Sequence, residues 1–403
     1  MIKQLLSMML GVGTLSGVLL LGGAVGCGGR EQAEKPVPKV TPVPAGSFSP
    51  AWEARLQMER DSITQLHVRE DTIFAYTRGH VAYGIARSGG SLLYINPIKA
   101  SGGILRPPVV LAEQIVFPTA ATLEIYSKKG RLERSLPLEY STRSPAAALG
   151  TTLFVGLDYP RGGRAAAIDI TRPYVPTRWE LLTSGGVSAR PAVFDKMIYI
   201  GGEDGRIYAV YPDRAPVWPL EGGVYLTSGS IVADIQADET GVYVASTDSK
   251  LYCVHRASGK TQWQYFGGSA LNTPPELTET TVYQYVRGRG VVAIDKTGGQ
   301  FNREARWAVG NATQFLAEDD ANTYLRRRDG AIMAVDRATG KEKFRSRGTF
   351  DVFASNTGDN TIFAARKTGQ VLAIRPVLKP GSVGEIVRLD EQPLGAPLAA
   401  AAQ

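Results

Sequence analysis

The chain is poor in the residues that build metal sites. Among its 403 residues there are two cysteines, Cys27 and Cys253, and three histidines, His67, His80 and His255. No pair of them stands at the spacing of metal ligands, so a zinc site is not supported. The sequence also lacks a G-x-S-x-G nucleophile elbow and a recognisable Ser/His/Asp set. We therefore predict no metal site and no catalytic residues.

The amino terminus is not expected to belong to the fold. Lys3 precedes an apolar stretch rich in small residues, which ends at Ala24-Val25-Gly26-Cys27 and resembles a bacterial lipobox. We predict that residues 1–26 are a lipoprotein signal peptide and that Cys27 carries the lipid. The alternative is an ordinary secretion signal whose cleavage site happens to lie near a cysteine.

Residues 27–50 are rich in proline and polar residues, which predicts a flexible, extended spacer. Two or more acyl chains on Cys27 would hold the protein stably at a membrane. Gly28 follows the cysteine, so the Asp that signals retention in the inner membrane is missing. We expect anchoring in the outer membrane with the chain facing the periplasm, while a surface-exposed orientation stays open.

The charge balance argues against a nucleic-acid partner. The formal net charge is +7, and it falls by one, to +6, when Lys3 leaves with the signal peptide. Such a balance suits anionic membranes or acidic protein patches but is modest for nucleic-acid binding, and secretion argues the same way. The rest is long enough for one closed domain, which we place at residues 51–378, followed by a C-terminal tail at 379–403.

A short aromatic-bearing run recurs eight times, at intervals of 38 to 45 residues. The middle residues of these runs are Phe74, Val116, Phe154, Tyr199, Tyr243, Tyr283, Tyr324 and Phe363. A period in this range is typical of propellers and related arrays, in which one unit cannot bury its apolar face alone.

A second β-rich run follows each of these, usually ten residues later, after a short turn that often contains Gly or Asp. The two runs together predict a β-hairpin. A third run often ends on an aromatic residue: Trp179, Trp218, Trp263, Trp307 or Phe344. With an inner strand before each hairpin, the unit has four strands. The sequence therefore predicts an all-β, eight-bladed β-propeller of four-stranded antiparallel blades.

The second runs are centred on small residues. Cys253 occupies a position that holds Ala in five other repeats and Gly in one. We expect a buried structural thiol there, because a reactive thiol needs an accessible, electropositive setting. The tryptophans of the closing strands predict packing between blades rather than sugar stacking. Trp52 precedes the first full repeat and fits an outermost strand, displaced to the N-terminus, that completes the last blade and closes the ring.

The repeat resembles the pyrroloquinoline-quinone (PQQ) propeller repeat, G-x-(I/L)-Y-A-(V/I)-D-x-x-T-G-K-x-x-W. It is clearest at residues 250–263 and 330–344. An eight-bladed PQQ-type propeller behind a lipobox and a spacer is similar to the BamB family, lipoproteins of the outer-membrane β-barrel assembly machinery. That resemblance implies a non-catalytic periplasmic scaffold, which docks on the barrel-forming partner and helps present unfolded outer-membrane chains.

Two other functions stay open. The same repeat builds PQQ-dependent periplasmic oxidoreductases, but those carry calcium-ligating acids and often adjacent cysteines beside the cofactor, and adjacent cysteines are impossible here. We therefore expect no cofactor and no enzymatic activity. A surface propeller that binds polysaccharide or anionic lipid headgroups is the other alternative. We expect a monomer within a larger complex of the cell envelope.

Charge is sorted by turn type. In a four-stranded blade, turns between the inner and second strands open on one face of the ring (the first face), and turns between the second and third strands open on the other (the second face). The first-face turns are rich in Asp and Glu, partly offset by Lys260, Lys296 and Lys341, and the second-face turns are rich in Arg and Lys. We predict a basic patch on the second face that binds an acidic partner surface or lipid headgroups. Its residues are Arg287, Arg289, Arg326, Arg327 and Arg328.

Overall fold

A computed structural model describes residues 45–99, 103, 105–160, 162–174, 176–219 and 223–378. Within these ranges the chain forms β-strands and no α-helix, and the strands assemble into eight sheets. The predicted eight-bladed propeller is confirmed. None of the described segments is a helix long and apolar enough to cross a membrane. The predicted signal peptide, Cys27 and the C-terminal tail lie outside the described residues.

The strands follow one another around the ring, apart from the first, which is β1 (Ser47–Arg55). Blades 1 and 2 contain β2 (Ile63–Arg69), β3 (Thr72–Thr77), β4 (Val81–Ala86), β5 (Leu92–Pro97), β6 (Val109–Val110), β7 (Gln114–Pro118), β8 (Thr122–Ser127) and β9 (Leu132–Pro137). Blades 3 and 4 contain β10 (Ala147–Leu149), β11 (Thr152–Asp158), β12 (Gly163–Asp169), β13 (Thr177–Thr183), β14 (Ala192–Phe194), β15 (Met197–Gly201), β16 (Arg206–Val210) and β17 (Val224–Leu226).

The second half of the ring is built in the same way. Blades 5 and 6 contain β18 (Gln236–Ala237), β19 (Val242–Ala245), β20 (Lys250–Val254), β21 (Thr261–Phe266), β22 (Glu276–Leu277), β23 (Thr281–Val286), β24 (Gly290–Asp295), β25 (Asn302–Arg303) and β26 (Trp307–Val309). Blades 7 and 8 contain β27 (Ala312–Glu318), β28 (Asn322–Arg327), β29 (Ala331–Asp336), β30 (Glu342–Thr349), β31 (Val352–Ala354), β32 (Ile362–Ala365) and β33 (Gln370–Val377).

The ring is closed by its N-terminal strand. β1 pairs antiparallel with β33 and supplies the outermost strand of blade 8, with Trp52 opposite Ala373. The role predicted for Trp52 is therefore confirmed. β1 begins at Ser47, inside the segment expected to be spacer, because the pairing with β33 continues as far as Val377. The propeller is thus held in a circle by a ladder of hydrogen bonds between its two ends.

The predicted hairpins have the expected register. In every blade the middle residue of the second strand faces the middle residue of the third. The eight cross-strand pairs are Phe74–Gly84, Val116–Ile125, Phe154–Ala167, Tyr199–Ala209, Tyr243–Cys253, Tyr283–Ala293, Tyr324–Ala334 and Phe363–Ala373. In an antiparallel sheet, side chains directly opposite one another are close neighbours on the same face.

Outside blade 2, where Ile125 is opposite Arg134, the third-strand residue is small, because an aromatic side chain of the fourth strand or of the segment before it lies next to it. Trp263 is opposite Cys253, and its ring centroid is 5.9 Å from that of Tyr243 one strand further in. A Cβ built on Gly84 would come within 2.3 Å of the Tyr94 ring, so the first blade tolerates only glycine there. The second, third and fourth strands thus carry a large, a small and a large side chain in turn. The two aromatic rings therefore pack against each other over the third strand.

Two blades depart from the predicted outer strands. Trp218 lies outside any strand, and the fourth strand of blade 4 is β17 instead, because the intervening segment contains Pro216 and Pro219, which cannot donate to a strand ladder. In blade 6 the long connection before Trp307 folds back, and β25 adds a fifth, parallel strand to β21 of blade 5. Neither feature follows the repeat, so the sequence pattern did not predict it.

Candidate functional site

On the first face, each of four residues at the end of a third strand bonds to the preceding blade. We call them latch residues: Arg87, Arg256, Lys296 and Arg337. Their carbonyl oxygens accept hydrogen bonds from tryptophan indoles of the preceding blade at 2.7 to 3.1 Å. The four donors are the Nε1 atoms of Trp52, Trp218, Trp263 and Trp307, in the same order. Trp179 makes the equivalent bond to the carbonyl of Pro212.

The latch residues also reach back with their side chains. Lys296 Nζ lies 2.6 Å from Asp238, and both side chains are buried, with 3% and 14% of their surfaces exposed. Arg87 Nη2 lies 3.0 Å from Asp359, and Arg256 Nη1 lies 3.5 Å from the Asp195 carboxylate. The carboxylate in each case stands in a first-face turn of the preceding blade. One residue thus joins two blades through both its backbone and its charge.

The remaining seams vary this arrangement. Arg337 donates to Thr280 Oγ1 of the preceding blade at 2.9 Å and pairs at 3.3 Å with Glu318 of its own blade. Lys128, at the end of the third strand of blade 2, pairs with Glu70 of blade 1 at 3.1 Å, although that seam has no tryptophan. Five first-face acids are therefore paired with first-face cations: Glu70, Asp195, Asp238, Glu318 and Asp359.

Hydrogen bonds keep Asp359 ionised. Burial raises the pKa of this carboxyl group, but hydrogen bonds from Thr361 and Asn356, together with the charge of Arg87, outweigh that effect and lower its pKa below the ordinary value. The Asn356 amide donates to Asp359 Oδ1 at 2.7 Å, and the Thr361 N–H donates to the same oxygen at 2.8 Å. The boundary between blades 8 and 1, where the ring closes, thus contains a carboxyl group that stays ionised and pairs with Arg87.

The second face has a different character in blades 6 and 7, where the predicted basic patch lies. Arg287 and Arg289 occupy the β23–β24 turn, and both are exposed. The Arg289 guanidinium lies over the Tyr265 ring, 5.8 Å from its centroid. Within the described part of the chain neither arginine forms an ion pair. Their charges are therefore open to a partner.

The three consecutive arginines of blade 7 do not share one environment. Arg326 is half-buried over the Phe353 ring and donates to the Asp351 carbonyl at 3.2 Å. Arg327 is held by Asp329 at 3.1 Å, with Glu342 at 3.9 Å. Arg328 is exposed and makes no ion pair among the described residues. Of the predicted patch, the structure brings Arg287, Arg289 and Arg328 to the surface as unpaired charges and uses Arg326 and Arg327 internally.

The basic surface continues beyond the predicted patch. Blades 8 and 1 follow blade 7 around the ring, and their second-face turns also present exposed cations without ion pairs in the described ranges. We call the whole set the basic arc: Arg78, Arg287, Arg289, Arg328, Arg366 and Lys367. The sequence contained this signal, since Arg78 and Lys367 stand in the same type of turn.

In blades 3 and 4 the second-face charges are mostly neutralised, whereas Lys250 of blade 5 makes no ion pair among the described residues. Arg143 pairs with Asp158 and with Glu203, both at 2.9 Å, and Arg206 pairs with Asp204 at 2.7 Å. The sequence prediction counted only the basic residues of these turns and not the acids beside them. The second face is therefore less uniformly basic than the sequence indicated.

The same three blades expose apolar side chains at the outer rim. Leu182, Leu226 and Phe266 have 66%, 61% and 64% of their surfaces exposed. Each lies in the fourth strand opposite a cation of the third strand; the cations are Arg164, Arg206 and Lys250. Exposed apolar residues at equivalent positions of consecutive blades are typical of a contact surface.

The structure supports the expectation that Cys253 is structural. The thiol is fully buried between blades, and burial raises its pKa to about 12. Among the described residues no group of three or more His, Cys, Asp or Glu side chains could hold a metal ion. His67, His80 and His255 lie apart, in the inner strand, a second-face turn and a first-face turn.

Comparison with known proteins identifies the repeat. The model of a family described as outer membrane protein assembly factor BamB matches residues 137–346, which is more than half of the 403-residue chain. These residues run from the last strand of blade 2 into the last strand of blade 7. No curated protein sequence matches the chain.

Several solved structures share the architecture. BamB from Moraxella catarrhalis superimposes with a TM-score of 0.63 at 19% identity, covering 81% of this chain and 97% of that one. The computationally designed Ika8 protein gives a TM-score of 0.61 at 16% identity, covering 79% and 98%. The C-terminal WD40 domain of Sif2 gives 0.60 at 12% identity, covering 82% and 99%. At these identities the likeness shows the fold alone.

Proposed function

The chain belongs to the family of the outer membrane protein assembly factor BamB, and on that premise we propose that it is a non-catalytic, lipid-anchored scaffold of the cell envelope. Its role would be to hold protein partners during assembly of outer-membrane proteins. The observation that carries this proposal is the basic arc, whose cations have no internal ion-pair partners in the described chain, whereas the first-face cations Arg87, Arg256 and Lys296 are paired with carboxylates of the preceding blade.

The arc suits an acidic protein surface. Guanidinium groups form paired hydrogen bonds with carboxylates, and exposed arginines without an internal partner lose no existing ion pair when they bind. The exposed Leu182, Leu226 and Phe266 lie on the same face and offer apolar contact area. A partner that covers both regions would combine electrostatic attraction with apolar burial, as protein interfaces do.

Recovery of partners from the native lipoprotein tests this proposal. The variant Arg287→Glu/Arg289→Glu/Arg328→Glu reverses three exposed charges and leaves Arg326 and Arg327 in their packed positions. The control Lys129→Glu/Lys260→Glu/Lys341→Glu makes the same change in net charge with exposed residues of the first face. We expect the first variant to lose most of its partner protein, identified by mass spectrometry after crosslinking, and the control to keep it.

The outcome of that experiment also separates the alternatives. Binding through the arc should weaken with added salt once the Debye length falls to about 8 Å or less. Retention by anionic vesicles, with no protein recovered, would favour the lipid-headgroup function instead. If both triple variants recover partners equally and without salt dependence, the arc is not the docking surface.

The anchor is proposed at Cys27, which lies outside the described residues. Intact-mass analysis of membrane-extracted protein should show an acylated Cys27 as the first residue. A Cys27→Ala variant should leave the membrane fraction. A soluble product that starts at another residue would contradict lipid anchoring but not the scaffold function, because the basic arc does not depend on the anchor.

The absence of catalysis is tested separately. Incubation with PQQ and calcium, followed by absorbance spectroscopy and dye-linked oxidation of alcohols and sugars, should show neither stoichiometric cofactor uptake nor turnover. Turnover with bound cofactor would contradict the proposed scaffold function and favour the oxidoreductase.

A further inference from the structure

A cavity lies on the axis of the ring, where the inner strands meet. Its volume is about 310 Å³, and blades 1 to 5 line it. Its lining includes Val109, Ala147, Ala148 and Val193 of the inner strands, but more of its exposed surface is polar than apolar. A cavity of this volume is at the lower end of the range of small-molecule sites in proteins.

Two arginines line this cavity from opposite parts of the ring. Arg69, in β2 of blade 1, donates through Nη1 to the Val68 carbonyl at 2.9 Å and has no carboxylate within ion-pair distance in the described chain. Arg190, just before β14 of blade 4, is 3.5 Å from Asp234, and its buried Nε has no hydrogen-bond partner. Buried donors without partners are costly, so the site has unused capacity for an acceptor.

The two guanidinium groups also act on each other. Burial lowers the pKa of Arg69, and the positive charge of Arg190 lowers it further. The two positive charges therefore repel each other across the cavity, and an anion between them would relieve that repulsion. Asp234 offsets part of this repulsion, since it lies 3.5 Å from Arg190 Nε and accepts a hydrogen bond from the Arg190 backbone N–H at 2.9 Å.

Two carboxyl groups near the arginines, Glu276 and Asp234, oppose a negative ligand when they are ionised, and Glu276 loses its charge as the pH falls through about 6. Glu276, in the inner strand of blade 6, has its pKa raised to about 6 by burial, against the opposing effects of Ser355, Arg190 and Arg69. Enclosure by the channel wall, with a smaller contribution from Arg69 and Arg190, lowers the pKa of His67 to about 3, so His67 is neutral at pH 7. Glu70 at the rim is paired with Lys128.

We propose that the axial cavity binds a small organic carboxylate, held by Arg69 and Arg190 at its head, with a short carbon chain beside the valine and alanine residues of the lining. Charge-assisted hydrogen bonds from guanidinium to carboxylate are the strongest that neutral-pH side chains offer, and the wall buries apolar surface. Such a carboxylate can belong to a free acid or to the C-terminal end of a chain inserted along the axis.

Calorimetric titration of the mature chain tests the head group. Hexanoate should bind saturably with one site per chain, and hexanamide, which has the same chain but no charge, should not. Arg69→Gln should weaken hexanoate binding about tenfold or more. The matched control is Arg78→Gln, an exposed arginine of the basic arc, which should bind hexanoate as the unmodified chain does.

Two further variants protect the test against misfolding. Ala147→Leu extends the wall into the cavity without touching a charge, and it should reduce hexanoate binding while the circular-dichroism spectrum stays unchanged. Glu276→Gln should bind hexanoate at pH 7.5 as tightly as the unmodified chain binds it at pH 5.5, because neutralising Glu276 removes a negative charge near Arg69, Arg190, Asp234 and His67.

The two sources of carboxylate are separated with peptides. A short peptide that ends in leucine with a free carboxyl group, but not its amidated form, should compete with hexanoate if chain ends enter the cavity. If only hexanoate binds, the site takes free acids. The proposal is overturned if hexanoate and hexanamide bind alike, if chloride or phosphate competes as well as hexanoate, or if neither Arg69→Gln nor Ala147→Leu changes binding.

Discussion

The two faces of the ring use their charges differently. On the first face, Lys296 and Asp238 meet at 2.6 Å across a blade seam with little exposure, and the more exposed pair of Arg87 and Asp359 meets at 3.0 Å where the ring closes. On the second face, Arg287, Arg289 and Arg328 stand in turns of neighbouring blades, exposed and without ion pairs in the described chain. These first-face pairs join neighbouring blades, whereas the three second-face arginines remain available to a partner.

The position of the latch residues explains the difference. Each follows a third strand, so its carbonyl oxygen reaches the tryptophan of the preceding blade while its side chain reaches an acidic turn of that blade. Second-face turns instead contain acids of their own, such as Asp329 beside Arg327, and those neutralise charges within a blade. The comparison shows that the groups facing a charged residue from the neighbouring blade decide its role. Where a carboxylate faces it, the residue stabilises the fold, and where none does, it can bind a partner.

The largest expected effect is loss of a buried latch. Lys296→Met leaves Asp238 in a buried seam without its cation, and removing one member of a buried ion pair costs about 3 kcal/mol or more. We expect the free energy of unfolding in urea to fall by that amount. The double variant Lys296→Met/Asp238→Asn should recover part of the loss, and the matched second-face control Arg328→Met should stay within about 0.5 kcal/mol of the parent.

The indole bond to a latch carbonyl should matter less. Trp263→Phe removes the donor to the Lys296 carbonyl and leaves that buried oxygen without its partner, while most of the aromatic packing on Tyr243 is kept. We expect a loss of about 1 to 3 kcal/mol in unfolding free energy. An unchanged value would mean that packing, and not the hydrogen bond, accounts for the tryptophan at this position.

The sequence repeat made most of the fold predictable. Eight aromatic runs fixed the number of blades, and the small residue opposite seven of them fixed the hairpin register, because a strand shifted by one residue would turn every buried side chain outward. The latch residues were not predicted, although Lys296 had been placed in an acid-offsetting turn. Which carboxylate a lysine meets depends on the angle between neighbouring blades, and no periodicity in the sequence reports that angle.

The basic patch shows the same limit. Five arginines in second-face turns were treated as one surface, but Arg326 packs over Phe353 and Arg327 turns towards Asp329. Both contacts depend on side-chain direction at the ends of β28, which alternates along a strand. The composition of a turn predicts its charge, and only the structure shows which charges are free.

Low pH should destabilise the ring at the boundary between blades 8 and 1, where Asp359 pairs with Arg87. The pKa of Asp359 is lower in the folded ring than its ordinary value, so this carboxylate stabilises the fold above the unfolded-state pKa of about 4 and loses that contribution as pH falls through the lower folded value. We expect Asp359→Asn to be less stable than the parent at pH 7 and to approach it at pH 2 to 3, measured by urea unfolding. A constant difference between the two proteins across that range would show that Asp359 acts by packing rather than by charge.

Reversing a charge of the basic arc on the second face should have the smallest effect on stability, and it should reduce partner binding instead. Arg328→Glu reverses an exposed charge that has no ion-pair partner in the described chain, so its unfolding free energy should match that of the parent within about 0.5 kcal/mol. The first-face variant Arg87→Glu places a second negative charge beside Asp359 and should be clearly less stable. Partner recovery at equal amounts of folded protein should show the reverse order, with Arg328→Glu reduced and Arg87→Glu retained. If Arg328→Glu destabilises the ring as much as Arg87→Glu does, or leaves recovery unchanged, the two faces do not divide support and binding between them.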